Sequence, residues 1–152
     1  MNIRRIAYQT FFVAILVGAV QHAMAASPSD AVKASLNNYI EAWREPDAQK
    51  RERLLETAWA ENGTYTDPTA HVDGRKALTA HIEQFLTNPM FKGYSIVMAS
   101  EIDIHHHVFR FEWTMKDSSG KEVTGGMDYG EFNNDGAITK IVGFFGPFPE
   151  LK

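Results

Sequence analysis

Apolar positions recur along this chain in two different rhythms. Val32, Leu36, Tyr39, Ile40 and Trp43 follow one another at three- and four-residue intervals behind the cluster Ser27-Pro28-Ser29-Asp30. That spacing predicts a helix with one apolar face and a polar N-terminal cap. Pro46 ends it, and Asp47 caps a second helix carrying Leu54, Leu55, Ala58 and Trp59 and closing at Asn62-Gly63. Tyr65 between two threonines reads as a short strand, stopped by Pro68 because proline has no N–H to give a ladder. A third helix is expected behind the cap Asp73, with Leu78, His81, Ile82, Phe85 and Leu86 on one face and Asn88-Pro89 at its end.

After Tyr94 the period drops to two. Tyr94, Ile96 and Met98 alternate with smaller or polar residues. His107, Phe109, Phe111 and Trp113 then alternate with Val108, Arg110, Glu112 and Thr114 in a long half-buried strand. Asp117-Ser118-Ser119-Gly120 and Asn133-Asn134-Asp135-Gly136 read as turns, which makes Lys121 to Phe132 and Ala137 to Phe145 the last two strands. The order predicts an α+β domain: a cone-shaped, curved antiparallel sheet with three N-terminal helices packed on its concave face. With Asp128, Phe132, Ile141 and Phe145 turned to the helices, Tyr129, Val142 and Phe144 face outward. An apolar outer face of that kind predicts a homodimer through the sheet.

Composition changes this picture at the N-terminus. Arg4-Arg5, the apolar run Thr10 to Val20 and the small-residue step Ala23-Met24-Ala25 form a signal peptide over residues 1–25, leaving residues 26–152 as a single exported domain, periplasmic or secreted. The apolar run is shorter than the ~20 residues of a spanning helix, so no membrane association is expected after cleavage near Ala25. Loss of Arg4 and Arg5 takes the net charge from −4 to −6, with thirteen basic residues against nineteen acidic. An acidic chain without a basic patch is a poor partner for nucleic acid. The absence of cysteine excludes disulfides and thiolate chemistry.

The candidate chemistry is a small number of acids among aromatic rings. An acid at Asp128, on the inward parity of a central strand, is costly unless it finds a partner or keeps its proton. Asp67 stands where a strand stops, either holding the turn or facing a cavity. Trp43, Phe85, Phe111, Trp113 and Phe145, with His81 and His107, are the expected lining of a pocket for a small hydrophobic ligand. Gly125-Gly126 before Asp128 marks a bulge or a close backbone approach. The run His105-His106-His107 cannot converge on one ion, because neighbouring side chains of a strand point to opposite faces, and no metal site is expected. No phosphate-cradling loop, nucleophile elbow or dinucleotide fingerprint is present, and no cofactor is expected.

Several stretches in order carry a resemblance: Asn38-Tyr39-Ile40-Glu41-Ala42-Trp43, Thr66-Asp67-Pro68, Gly74-Arg75-Lys76-Ala77-Leu78, Met127-Asp128-Tyr129-Gly130-Glu131-Phe132 and Gly143-Phe144-Phe145-Gly146. Over residues 30–148 the chain resembles the nuclear transport factor 2-like superfamily, in its SnoaL-like and ketosteroid isomerase-like branch. The resemblance implies a cofactor-free isomerase or cyclase that moves a proton next to a carbonyl, with Asp67 as base and Tyr39 and Asp128 as donors to the oxyanion. The same fold also hosts non-catalytic ligand-binding or dimerisation modules, and dehydratases that pair a histidine with an acid, here His81 or His107 with Asp67.

Overall fold

A computed structural model describes residues 27–151; the expected leader, residues 1–25, lies outside the described residues. Helix α1 spans Pro28–Ala42, with the Ser27 hydroxyl accepting from the Asp30 N–H and Pro28 in the first turn, where its missing N–H costs nothing. Helix α2 spans Ala48–Ala58, and the Asp47 carboxylate accepts from the Lys50 N–H at its start. Strand β1 then runs Trp59–Asp67, β2 Ala70–Asp73, α3 Arg75–Thr87, β3 Ser95–Met98, β4 Asp103–His105, β5 Val108–Lys116, β6 Glu122–Phe132 and β7 Ile138–Phe145, with a single 3-10 turn at Pro89–Phe91.

Three local expectations are corrected. Helix α2 stops at Ala58 rather than at Asn62-Gly63, because Trp59 is already extended and pairs with Ile138 of β7, so β1 is nine residues long. Asp73 does not cap α3. It ends β2, a strand the periodicity did not announce, and the cap position belongs to Gly74 at φ 84°, a left-handed conformation that glycine adopts without strain. The long fifth strand begins at Val108, since His106 turns the chain at φ 54° and leaves His107 in that turn, its carbonyl accepting from the Phe132 N–H at 3.1 Å.

The sheet runs β2-β1-β7-β6-β5-β3, with β4 pairing the other end of β5. Its pairs are antiparallel except one: β1 and β7 are parallel, with Tyr65 opposite Ile141 and Thr66 opposite Val142. The sheet is therefore mixed and curved, and the three helices close its concave side. Val32, Leu36, Leu55, Leu78 and Ile82 of the helices meet Phe109, Phe111, Phe132, Ile138 and Ile141 of the strands in one core, all of them buried. Among the described residues no helix is long and apolar enough to cross a membrane.

Candidate functional site

Inward parity is the same on every central strand. Tyr65 and Asp67 of β1, Ile141, Gly143 and Phe145 of β7, Asp128 of β6, and Trp113 and Met115 of β5 turn toward the helices, as alternation along a pleated strand requires. One residue past the Thr66–Val142 pair, Asp67 comes beside Gly143, and Gly143 is itself paired with Asp128. Acid, glycine and acid thus stand in a row across three adjacent strands. A Cβ on Gly143 would lie 2.9 Å from Asp128 Oδ1 and 3.6 Å from Asp67 Cβ, so a missing side chain keeps the space between the two acids open.

Above that row lies a cavity of about 450 Å³, in the range of small-molecule sites. Tyr39, Ile40, Trp43, Tyr65 and Asp128 are its buried lining, Phe85, Trp113 and Phe145 apolar walls, and Thr69, Gln84 and Asn88 its exposed polar rim. Among the described residues no lysine or arginine lines it.

Their environments shift the two acids in opposite directions. Burial raises the Asp128 carboxyl to about 7, opposed by the Trp113 indole N–H donating to Oδ1 at 2.9 Å and reinforced by the negative charge of Asp67. Partial burial also works to raise Asp67, but the hydrogen bonds outweigh it and hold the carboxyl below the usual range. Asp67 Oδ1 accepts from the Thr69 N–H at 2.6 Å, the Thr69 hydroxyl at 2.8 Å and the Ala70 N–H at 2.8 Å; Oδ2 accepts from the Tyr65 hydroxyl at 2.8 Å. The turn-holding and cavity-facing readings of Asp67 are therefore one arrangement: one oxygen ties the β1–β2 turn while the residue borders the cavity. Tyr39, stacked on Trp59 at 5.6 Å, is pushed well above its ordinary value by burial and then by the charge of Asp128. It stays a donor.

Tyr39, Asp67 and Asp128 line this one cavity, together with Trp43, His81, Phe85, Trp113 and Phe145. Two expected lining residues are elsewhere. Phe111 is 2% exposed in the core, stacked on Phe109 at 6.2 Å, and is not among the residues that line the cavity. His107, outside the strand, is exposed with its ring against Phe132 and does not line the cavity that Asp67 borders. His81 packs between Trp43 and Tyr65, at 5.8 and 5.5 Å, while the hydrogen bonds to Asp67 come from Tyr65, Thr69 and Ala70. Gly126 is a close approach rather than a bulge, since a Cβ there would fall 2.4 Å from the Phe144 carbonyl oxygen and 2.6 Å from the Trp113 ring that leans over it.

Sequence reading missed Ile40, Tyr65, Thr69, Gln84, Asn88, Phe91, Ile96, Met115 and Thr124. Some were within its reach. Tyr65 shares parity with Asp67, Met115 with Trp113, and Thr124 with Asp128, while Gln84 and Asn88 continue the helical face of His81 and Phe85. Phe91, in the 3-10 turn and stacked on Phe85 at 5.0 Å, carried no such signal.

No protein-family model matches the chain, and no curated protein does. Solved structures do. A candidate isomerase of the SnoaL-like family from Agrobacterium tumefaciens is 34% identical, with a TM-score of 0.70 over 78% of this chain and 99% of that one. A nuclear transport factor 2-like protein of unknown function from Cytophaga hutchinsonii is 15% identical at a TM-score of 0.56, over 76% and 90% of the two chains. A protein of unknown function with a cystatin-like fold, from Methylobium petroleophilum, is 17% identical at 0.62, over 80% of each. The two more distant likenesses concern the fold alone.

Proposed function

This chain belongs to the SnoaL-like family, and from its cavity we propose that it is a cofactor-free isomerase or cyclase acting on a small, uncharged, hydrophobic carbonyl compound. One observation carries the reading: two carboxyls border a single apolar cavity, one held ionised and the other pushed up to about 7. Environments that drive two acids apart divide the labour of base and acid between them. Asp67 takes the proton next to the carbonyl, and the C–H electron pair passes to the carbonyl oxygen. Asp128 and Tyr39, still protonated, donate to that oxygen as its charge develops. Asp67 then returns the proton at another carbon, or the enolate carbon attacks a second carbonyl of the substrate, whose π bond breaks to an alkoxide that takes the proton back from Asp67. With no lysine or arginine among the described lining residues and a negative Asp67 in it, the cavity favours an uncharged ligand over an anionic one.

The pH dependence follows from these assignments. Asp128 donates only while it holds its proton, so turnover of a β,γ-unsaturated ketone should fall as pH rises through about 7. On the acid side it should fall only where Asp67 takes up a proton, below the ordinary carboxylate range. A kcat/KM profile that instead climbs through pH 7 would exchange the roles of the two acids. Tight binding of an apolar ketone with no turnover at any pH would make the chain a non-catalytic ligand-binding module.

The partner proposed for the outer sheet face is a second copy of the chain. Phe144 is 58% and Val123 48% exposed there, a patch of the kind subunit interfaces cover. Sedimentation equilibrium at about 10 µM should report twice the chain mass, and Phe144→Glu should return the monomer; a monomeric parent chain sinks the proposal.

A further inference from the structure

Asp67 presents two unequal oxygens. Oδ1 receives three donors, the N–H and hydroxyl of Thr69 and the N–H of Ala70, at 2.6 to 2.8 Å. A carboxylate offers about four lone-pair directions in all, two on each oxygen, so Oδ1 has no direction left. Oδ2 receives a single donor, the Tyr65 hydroxyl at 2.8 Å, and keeps one direction free.

Tyr65 is fixed in turn by the helices. Tyr65 is 7% exposed, its ring tilted against Trp43 at the C-cap of α1 at 5.9 Å and against His81 of α3 at 5.5 Å. Being two residues before Asp67 on the same strand, it shares that residue's face by necessity. Its hydroxyl therefore reaches Oδ2 from a ring clamped between two helices.

We propose that Tyr65 is a positioning residue for the reaction assigned above: it turns the Asp67 carboxylate so that the one free lone pair of Oδ2 receives the substrate proton, and its hydrogen bond sets how strongly that oxygen binds it. The inference rests on the reading of Asp67 as base. In the transfer the substrate C–H bond breaks, an O–H bond forms at Oδ2 and the electron pair leaves for the carbonyl oxygen. Tyr65 keeps its own proton throughout, which fits a hydroxyl whose ionisation is opposed by burial and by the neighbouring Asp67 charge. The other titratable groups bordering this space are Tyr39 from α1, His81 from α3 and Asp128 from β6, and none of them donates to Asp67.

Tyr65→Phe leaves the ring and its packing in place and removes one donor. Two readouts on the whole mature chain separate the proposal from the function it rests on. The first is the titration of the Asp67 carboxyl carbon by 13C NMR, in the parent and in Tyr65→Phe. The midpoint should rise by about one pH unit, the size expected of one hydrogen bond to an ionised group. The second is the acid limb of kcat/KM with the β,γ-unsaturated ketone, which should move up with it. Tyr129→Phe, on the outer face, should move neither. A raised midpoint without turnover in either protein would overturn the enzymatic reading while leaving Tyr65 as the group that sets the proton affinity of Asp67. An unmoved midpoint overturns the inference whether or not turnover is seen. If Tyr65→Phe fails to fold, Thr69→Val supplies the second test: losing a donor at Oδ1 should raise the same midpoint while Tyr65 still holds Oδ2, and a midpoint that stays put defeats the claim that these donors set it.

Discussion

Replacing Asp67 with asparagine should lower kcat by roughly 10³-fold, the middle of what a positioned general base contributes. The fold should survive. An asparagine carbonyl can take over the N–H groups of Thr69 and Ala70 that now donate to Oδ1, and the Tyr65 hydroxyl, which accepts as well as donates, can turn toward the amide. What asparagine lacks is a lone pair basic enough to take a proton from carbon. The ligand should still bind, since the apolar walls are untouched, so the loss belongs in kcat rather than KM. Steady-state kinetics beside a circular dichroism spectrum would check both halves. A variant that is folded and within tenfold of the parent would remove Asp67 from the chemistry.

The second large effect is on stability. Asp128 is 4% exposed, and burial first, then the charge of Asp67, raises its carboxyl to about 7 against the hydrogen bond from Trp113. Below the ordinary aspartate value of ~3.9 the folded and unfolded chains are both protonated there and nothing is lost. Between that value and about 7 the unfolded chain releases a proton that the folded one keeps, so stability falls as pH rises through the window. Above about 7 the whole cost of a buried charge is present. Asp128→Asn removes it while its carbonyl still accepts from the Trp113 indole. At pH 8 the variant should be more stable by on the order of 2–4 kcal/mol, a rise in Tm of roughly 10 °C, and the two proteins should converge near pH 4. Turnover should fall at the same time, since an amide is a weaker donor to an enolate than a carboxylic acid. Thermal unfolding of both proteins from pH 4 to 9 decides the matter. Equal Tm values at pH 8 would mean that Asp128 carries no such burden.

Much of this was legible in the residues. The two rhythms of apolar positions locate three helices and the late meander, and the caps at Ser27 and Asp47 stand where their side chains predict. Parity along β6 puts Asp128 inward beside Phe132, and the strand-stopping proline leaves Asp67 at an end. Helical spacing brings Trp43, His81 and Phe85 to the face that meets the sheet. Errors fell where the local pattern was ambiguous. Trp59 serves as well at the end of a helix as at the start of a strand, and only its pairing with Ile138, seventy-nine positions later, settles it. His107 has the parity of Phe109 and Phe111, but it sits in the turn at His106, at the exposed end of the strand.

By itself, then, the sequence determined which side chains turn inward, because periodicity along a helix or strand is a property of the local backbone. What it did not determine is which inward residues meet. That depends on register between strands far apart in the chain, and here on the parallel pairing of β1 with β7, the one pair that an antiparallel meander does not imply. The pairing lays Asp67, Gly143 and Asp128 side by side across three strands. It also closes an apolar cavity over two acids: that burial, with the charge of Asp67, raises Asp128, while the hydrogen bonds from Tyr65, Thr69 and Ala70 hold Asp67 low.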